Sequence, residues 1–346
     1  MVTMSDVARR AGVSTATVSR VLNRSAVVDE RTKALVDEAV ATLRYRPNAV
    51  ARGLATRSSR TIGVVINRFN SIYYGMMLDG AESALGDVGY KMIAESSRER
   101  EEGEREAWRS LTARQCDAVI VHSDNLDDAE LARWMEEHPR SVLMNRYLEG
   151  FAHRCIHLDN RRGGALAAQH LIAVGHRDIA MVTGPSHFHE ARDRTAGFLD
   201  ALSETGLAPV RVIEADFLEG GGHAAMSALL DDASVTAVFL QNDDMAAGAL
   251  EACRGRGVNV PDDVSIMGFD DVALASHLVP KLTTIRQPLT EIGMAAGRLA
   301  HALATDVDTS PIRRVFEAEV VERASVTSLT NPVPEGPGRS HGRRTQ

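Results

Sequence analysis

Polar side chains stand directly after several short apolar runs of this chain: Asn67 after TIGVVI, Ser96 after YKMIAE, then Asn145, Asn242 with Asp243 after AVFLQ, and Asp270 with Asp271 after VSIMGF. Amides and carboxylates of this kind donate to and accept from hydroxyl groups in directed pairs, and Arg194 adds a forked donor. Tyr73, Tyr74 and Phe217 offer flat apolar faces that suit the C–H side of a sugar ring. Each has an ordinary structural use as well, since Asp and Asn cap helices after strands and the two tyrosines also suit a core or a dimer contact. A second set lies near the amino end. With Val18, Val21 and Leu22 turned inward, a helix there leaves Thr15, Ala16, Ser19, Arg20 and Asn23 outside. Arg20 can donate two hydrogen bonds to a guanine edge, Ala16 can meet a thymine methyl, and the hydroxyls of Ser14, Thr17 and Ser19 can reach phosphates. The plain alternative for that face is solvent.

The elements that must hold these residues follow from local patterning. Thr3 with Asp6 forms a capping-box pattern, Gly12 ends the first helix, and Ser14 caps a second directly after it. A third helix runs from Glu30 to Leu43 behind the cap Asp29. Three such helices make a helix-turn-helix domain. From Thr61 the chain alternates short apolar runs with helical stretches, which implies parallel α/β structure. The rhythm runs twice, through DAVIVHS and again from DIAMVTG to VSIMGFDD, as expected for two similar lobes. Ligands of open parallel sheets sit beyond the carboxyl ends of strands, where the first set of polar residues stands.

Composition narrows the function classes. The 346 residues are 44% apolar, enough for sizeable cores, and the cysteines Cys116, Cys155 and Cys253 fit neither a disulfide framework nor a zinc ribbon. No run approaches a membrane span and no signal-peptide stretch opens the chain, so a cytoplasmic protein without a membrane partner is expected. The net charge of −8 hides a division. Residues 1–60 hold 11 Arg/Lys and 5 Asp/Glu, a net of +6; the other 286 residues hold 28 against 42, a net of −14. A phosphate-seeking module fused to an acidic body fits that split, because neutralised phosphates release counterions. Catalysis is not expected. The pairs Asp243/Asp244 and Asp270/Asp271 are adjacent and, in extended structure, point to opposite sides. His187, His189 and Glu190 lack a further spaced ligand for a metal, and the glycines at 220–222 do not form a dinucleotide fingerprint. No cofactor is expected.

The strings DVARRAGVSTATVSRVLN and YRPNAVARGLA resemble the lactose/galactose repressor family of transcription regulators. The resemblance implies a fold of an all-α helix-turn-helix DNA-binding domain plus an α/β two-lobed effector domain like the periplasmic sugar-binding proteins. It divides the chain into residues 1–46 for DNA binding, 47–60 as a hinge helix and linker, 61–330 for effector binding and dimerisation, and a disordered tail over 331–346. It also implies DNA contacts at Thr3, Ser14, Thr15, Ala16, Thr17, Ser19, Arg20, Asn23, Asn48 and Leu54. In the family, two hinge helices meet in the minor groove and each drives a leucine between base pairs; Leu54 matches that wedge, and packing as a linker residue is its plain alternative. In the body, Asn67, Asn145, Arg194, Asn242 and Asp270 match effector-contact positions. Phe217 matches an aromatic wall, Glu190 lies one turn before the arginine, and Tyr73 and Tyr74 complete the expected set.

Stretches such as CDAVIVHS, MNRYLEGFAHRCIHLDN and DMAAGAL look closest to the galactose repressor and isorepressor branch, so a galactose-like hexose leads as effector. NSIYYG departs from the usual Asp-Pro-Phe-Phe pattern, and SHFHEAR carries His187 and His189, which keeps a sugar acid, a sugar phosphate or a purine open. The expected partners are a palindromic operator, a small sugar effector and a second copy of the chain. A repressor relieved by sugar is the first reading; an activator or dual regulator, and a sugar-binding sensor or transport protein, are the others. The tail NPVPEGPGRSHGRRTQ has no leucine heptad, so a dimer is expected without a coiled-coil tetramer.

Overall fold

In the computed structural model, the described residues are 2–23, 28–45, 58–232 and 234–329. The chain divides into two units, Met1–Arg60 and Thr61–Gln346. Asn48 and Leu54, the expected hinge helix and the tail over 331–346 lie outside the described residues.

The first unit has three helices: α1 (Met4–Ala11), α2 (Thr15–Asn23) and α3 (Glu30–Leu43). Thr3 and Asp6 form the full reciprocal capping box, and Gly12 ends α1 in the left-handed region at φ 69°, where a side chain is strained. Ser14 accepts from the Thr17 amide at 3.1 Å to start α2, and Asp29 accepts from the Thr32 amide at 2.9 Å to start α3. Val7, Ala8, Ala11, Val18, Val36 and Ala39 form its small core. α3 ends on Arg44 at φ 47°, ahead of Pro47.

The second unit holds two six-stranded sheets. The first lobe orders its strands β11-β5-β4-β3-β1-β2, built from β1 (Thr61–Ile66), β2 (Lys91–Ser96), β3 (Ala118–Val121), β4 (Ser141–Met144), β5 (Cys155–Leu158) and β11 (Val315–Phe316). The second orders them β12-β10-β9-β8-β6-β7, from β6 (Ile179–Thr183), β7 (Val212–Glu214), β8 (Ala237–Leu240), β9 (Ser265–Asp270), β10 (Thr283–Arg286) and β12 (Glu319–Val321). All pairings are parallel except β10 with β12. The chain therefore passes between the lobes after β5, after β10 and after β11. Helices α4 (Ile72–Asp87), α5 (Glu101–Ala113), α6 (Asp128–Glu137) and α11 (Leu289–Thr305) serve the first lobe. The second has α7 (Asn160–Ala173), α8 (His189–Glu204), α9 (Glu219–Asp232) and α10 (Asp243–Gly255).

Three helix pairs dock through reciprocal glycines. A Cβ on Gly80 of α4 would lie 2.0 Å from the Thr290 carbonyl, and one on Gly293 of α11 would lie 2.0 Å from the Met77 carbonyl. Gly164 with Gly197 joins α7 to α8, and Gly222 with Gly248 joins α9 to α10, at the same closeness. Such contact lets backbones pack at distances that any side chain forbids.

Candidate functional site

β1 and β2 end at one edge of the first lobe, and β6, β8 and β9 end at the facing edge of the second. Between them lies a cavity that opens to solvent. Seven of the nine effector residues expected from the sequence line it: Tyr73, Tyr74, Glu190, Arg194, Phe217, Asn242 and Asp270. The elements explain the convergence. Tyr73 and Tyr74 occupy the first turn of α4, Glu190 and Arg194 the first turns of α8, and Asp270 the last position of β9. α8 starts at His189, which puts Glu190 on the same helix one turn before Arg194.

Arg194 is the most constrained of these side chains, with 2% of its surface exposed. Its Nε donates to Asn160 Oδ1 at 2.9 Å and its Nη1 to the Gln241 carbonyl at 2.7 Å, while Nη1 stands 3.8 Å from Asp270 Oδ1. The guanidinium also lies over the Phe269 ring, 3.8 Å from its centroid. These contacts fix the fork in one orientation. Asp270 accepts from Gln287 Nε2 at 2.6 Å. Burial raises its carboxyl to a pKa of about 7, against the pull of Arg194. Its φ of 114°, like the 62° of Phe217 and the 60° of Asn145, is a conformation that non-glycine residues seldom adopt and that clusters at functional sites.

Phe217 and Phe188 stack with ring centroids 5.9 Å apart and form the apolar wall. Gly184 makes room for it, since a Cβ there would lie 2.0 Å from the Phe217 ring. Asn242 caps α10 through Oδ1, accepting from the Met245 amide at 2.9 Å, and donates through Nδ2 to the Phe217 carbonyl at 2.9 Å. It therefore holds the wall as well as facing the cavity.

Asn67 and Asn145 do not line the cavity. Asn67 is fully buried, donating to Asp124 Oδ2 at 2.5 Å and accepting from Ser97 Oγ at 3.1 Å. Asn145 donates to the Tyr73 hydroxyl at 2.5 Å, from behind. Both sit one layer back, bonded to other side chains of the first lobe. His187 is exposed and packs edge-on against Phe188, while His189 pairs with Arg192, so neither joins Glu190. The adjacent acids diverge. Asp243 turns inward to Thr284 and the Val272 amide, and Asp244 faces the cavity; Asp271 pairs with Arg286 and Arg323 while Asp270 faces the cavity. Asp243 and Asp244 start a helix rather than sit in extended structure, yet they still part.

Sequence reading missed Arg68, Glu99, Phe188 and Asp244 in the lining, and His122 with Asp124 just beneath it. The last two follow β3 in VIVHSD, so the rule that selected Asn67 and Asp270 applies to them equally. Their loop is held by the buried Glu104, whose carboxylate accepts from Ser123 Oγ at 2.6 Å, from Asn125 Nδ2 at 2.7 Å and from the Asp124 and Asn125 amides. Burial is also the first cause of the rise of Glu190 to about 7, with Asp124 raising it further and His122 and Arg194 lowering it.

The first unit offers the other chemistry. Ser14, Thr15, Ala16 and Arg20 are exposed along one side of α2, with Thr17 and Ser19 half-buried beside them. Arg20 is exposed, on the side of α2 that a base edge can approach. Thr3 spends its hydroxyl on Asp6, at 2.7 Å, within the capping box. Asn23 ends α2.

Among the described residues no helix is long and apolar enough to cross a membrane. Residues 3–48 match the family model of bacterial regulatory proteins of the lacI family, and residues 168–326 match the periplasmic binding protein-like domain. The chain is 40% identical over 333 residues to the HTH-type transcriptional regulator GalR of Escherichia coli K12, spanning 95% of this chain and 96% of that one. It is 39% identical over 337 residues to the HTH-type transcriptional regulator GalS of Salmonella typhimurium LT2, spanning 96% and 99%. Among solved structures it is similar to the lac repressor dimer bound to operator and the anti-inducer ONPF, with a TM-score of 0.85, 28% identity, and coverage of 94% and 99%.

Proposed function

The chain belongs to the lacI family of bacterial regulatory proteins, DNA-binding transcriptional regulators rather than enzymes, and from that premise we propose that it represses sugar-utilisation genes until a neutral, galactose-like hexose fills the cleft. Two copies bind a palindromic operator, each laying α2 in a major-groove half-site with Arg20 and Ala16 toward the bases and Ser14, Thr15, Thr17 and Ser19 toward the phosphates. The domains that carry this out are residues 1–46 for reading DNA, 47–60 for the hinge and 61–330 for the effector, and the protein acts in the cytoplasm.

One observation carries the choice of ligand: a forked donor, Arg194, and an acceptor, Asp270, meet in a cavity shared by both lobes. Vicinal hydroxyls match that pair, accepting from the free edge of the guanidinium and donating to the carboxylate. The Phe188/Phe217 wall suits the apolar face of the ring. The lining also holds the carboxylates Glu99, Glu190, Asp244 and Asp270 against the cations Arg68 and Arg194. Arg68 is already paired with Glu99, at 3.2 Å. An acidic sugar or a phosphate ester finds both cations of such a lining already facing carboxyls, whereas a neutral hexose needs no free cation. Sugar that binds one arrangement of the lobes better than the other shifts the balance between DNA-bound and free forms, and by linkage DNA weakens sugar binding by the same factor.

Thermal unfolding of the purified protein against galactose, other hexoses, sugar acids, sugar phosphates and purines tests the reading. A ligand at 100 times its dissociation constant stabilises by about 2.7 kcal/mol, enough to move the midpoint visibly. A shift with galactose or a neutral relative, lost in Arg194→Ala, is the expected result. A shift confined to acids, phosphates or purines overturns the ligand class.

A further inference from the structure

Below the floor of the cleft lies a group of side chains of which only Glu190 reaches the cavity wall. His122 and Asp124 leave the end of β3 in the first lobe, and Glu190 reaches them from the first turn of α8 in the second. One ligand-type atom from each of the three falls within 4.8 Å of the other two. All three residues are buried, His122 with only 1% of its surface exposed. His122 Nδ1 has only the Asp124 carboxylate beside it, while His122 Nε2 and Glu190 Oε2 make no hydrogen bond among the described residues. Buried donors and acceptors without partners are costly, so these atoms are built to meet something.

From this geometry we propose that His122, Asp124 and Glu190 form a divalent-cation site that ties the two lobes together, with zinc as the fitting ion. His122 Nδ1 stands 3.3 Å from Asp124 Oδ2. Zinc bonds of about 2.0 to 2.2 Å in a tetrahedron place neighbouring ligand atoms about 3.3 to 3.6 Å apart, so this pair already spans one edge. Drawing Glu190 in by no more than about 1.5 Å sets the others. One imidazole with two carboxylates suits zinc better than magnesium or calcium, which prefer all-oxygen shells. Three protein ligands leave a fourth position open, on the side where Glu190 lines the cavity.

The surroundings have the form of a supporting shell. Asn67 donates to Asp124 Oδ2 at 2.5 Å and so aims the carboxylate. Glu104 pins the Ser123–Leu126 loop that carries Asp124. Tyr74 and Tyr73 stand edge-on to the His122 ring, at 5.1 and 6.2 Å between centroids, and fix its plane. His122 and Glu190 lie far apart in the chain, whereas the neighbours that sequence spacing suggested, His187 and His189, turn away. A cation held across the lobes stabilises the arrangement in which these three residues meet and thereby alters how readily sugar acts on the DNA-binding form, whichever sugar that is.

The full-length protein, stripped with EDTA and titrated with zinc chloride by calorimetry and with cobalt(II) by visible absorption, tests the site. We expect one equivalent of zinc per chain, a raised unfolding midpoint and the absorption band of tetrahedral cobalt. His122→Gln abolishes all three, Asn67→Ala weakens zinc binding by about 10- to 100-fold, and His187→Gln and His189→Gln leave it intact. Absence of the tetrahedral band in the unaltered protein, or equal zinc binding by a folded His122→Gln, overturns the proposal. Should His122→Gln fail to fold, the cobalt band of the unaltered protein and the Asn67→Ala titration decide it: unchanged zinc affinity in Asn67→Ala counts against the site.

Discussion

Arg194 Nη1 lies 3.8 Å from Asp270 Oδ1, both side chains are buried, and each is anchored separately, Arg194 by Asn160 and Gln241 and Asp270 by Gln287. The pair is held near contact without closing into a short bridge. A ligand that bonds both groups therefore meets a preorganised donor and acceptor and pays little to order them.

Removing one member isolates the other. Arg194→Ala deletes the fork and leaves the Asp270 carboxyl buried without its cation, so sugar affinity falls by about 1.5 to 3 kcal/mol, roughly 10- to 150-fold. Operator binding without sugar stays within twofold, because α2 is untouched. Calorimetry with the sugar and anisotropy with operator DNA read the two effects separately; parallel loss of both contradicts the division of labour.

Asp270 makes sugar binding depend on pH. Its carboxyl titrates at about 7 in the folded protein against 3.8 ordinarily, so between these values the native state holds a proton that the unfolded chain has released. Its contribution to stability therefore falls as pH rises from about 4 to 7 and is constant beyond. The carboxylate that accepts from a hydroxyl forms over the upper part of the same range, so sugar affinity rises with pH through about 7. Asp270→Asn flattens both profiles relative to the unaltered protein. A pH dependence identical in the two proteins assigns the titration elsewhere.

Base reading by Arg20 separates from phosphate contact. Arg20→Ala costs about 1 to 3 kcal/mol on the specific operator and much less on scrambled DNA, with sugar affinity unchanged. Equal loss on both sequences makes Arg20 a phosphate ligand instead.

Helix docking through glycine gives a stability contrast. Gly80→Ala places a Cβ 2.0 Å from the Thr290 carbonyl and should destabilise the first lobe by about 1 to 3 kcal/mol. Gly86→Ala, on the same helix with nothing within 4 Å of the new Cβ, should gain about 0.5 to 1 kcal/mol from helix propensity. Denaturant midpoints of the two variants moving the same way contradict the packing argument.

The first unit was legible almost to the residue, because its helix ends are written in local chemistry: Thr3 with Asp6, Gly12, Ser14 and Asp29 act within three or four positions of themselves. The lobes were legible as an alternation, and Arg194 and Asp270 as residues at element ends. The depth of each side chain was not. Asn67 and Asn145 follow strands as Asn242 and Asp270 do, yet they bond within the first lobe, and nothing local distinguishes the two outcomes. Phe188 is not singled out by the sequence, and Asp244 enters only as half of an acid pair that is set aside. The meeting of His122 with Glu190 depends on how two separately folded sheets face each other, a property of packing rather than of any window of sequence.

Competition of sugar in the cleft with DNA at α2 through one coupled equilibrium is tested by anisotropy of operator DNA measured with and without saturating galactose. A coupling of about 1 to 3 kcal/mol predicts operator affinity lowered roughly 5- to 150-fold by the sugar, with no change in Arg194→Ala. Operator affinity that is the same with and without a sugar shown to occupy the cleft contradicts the account.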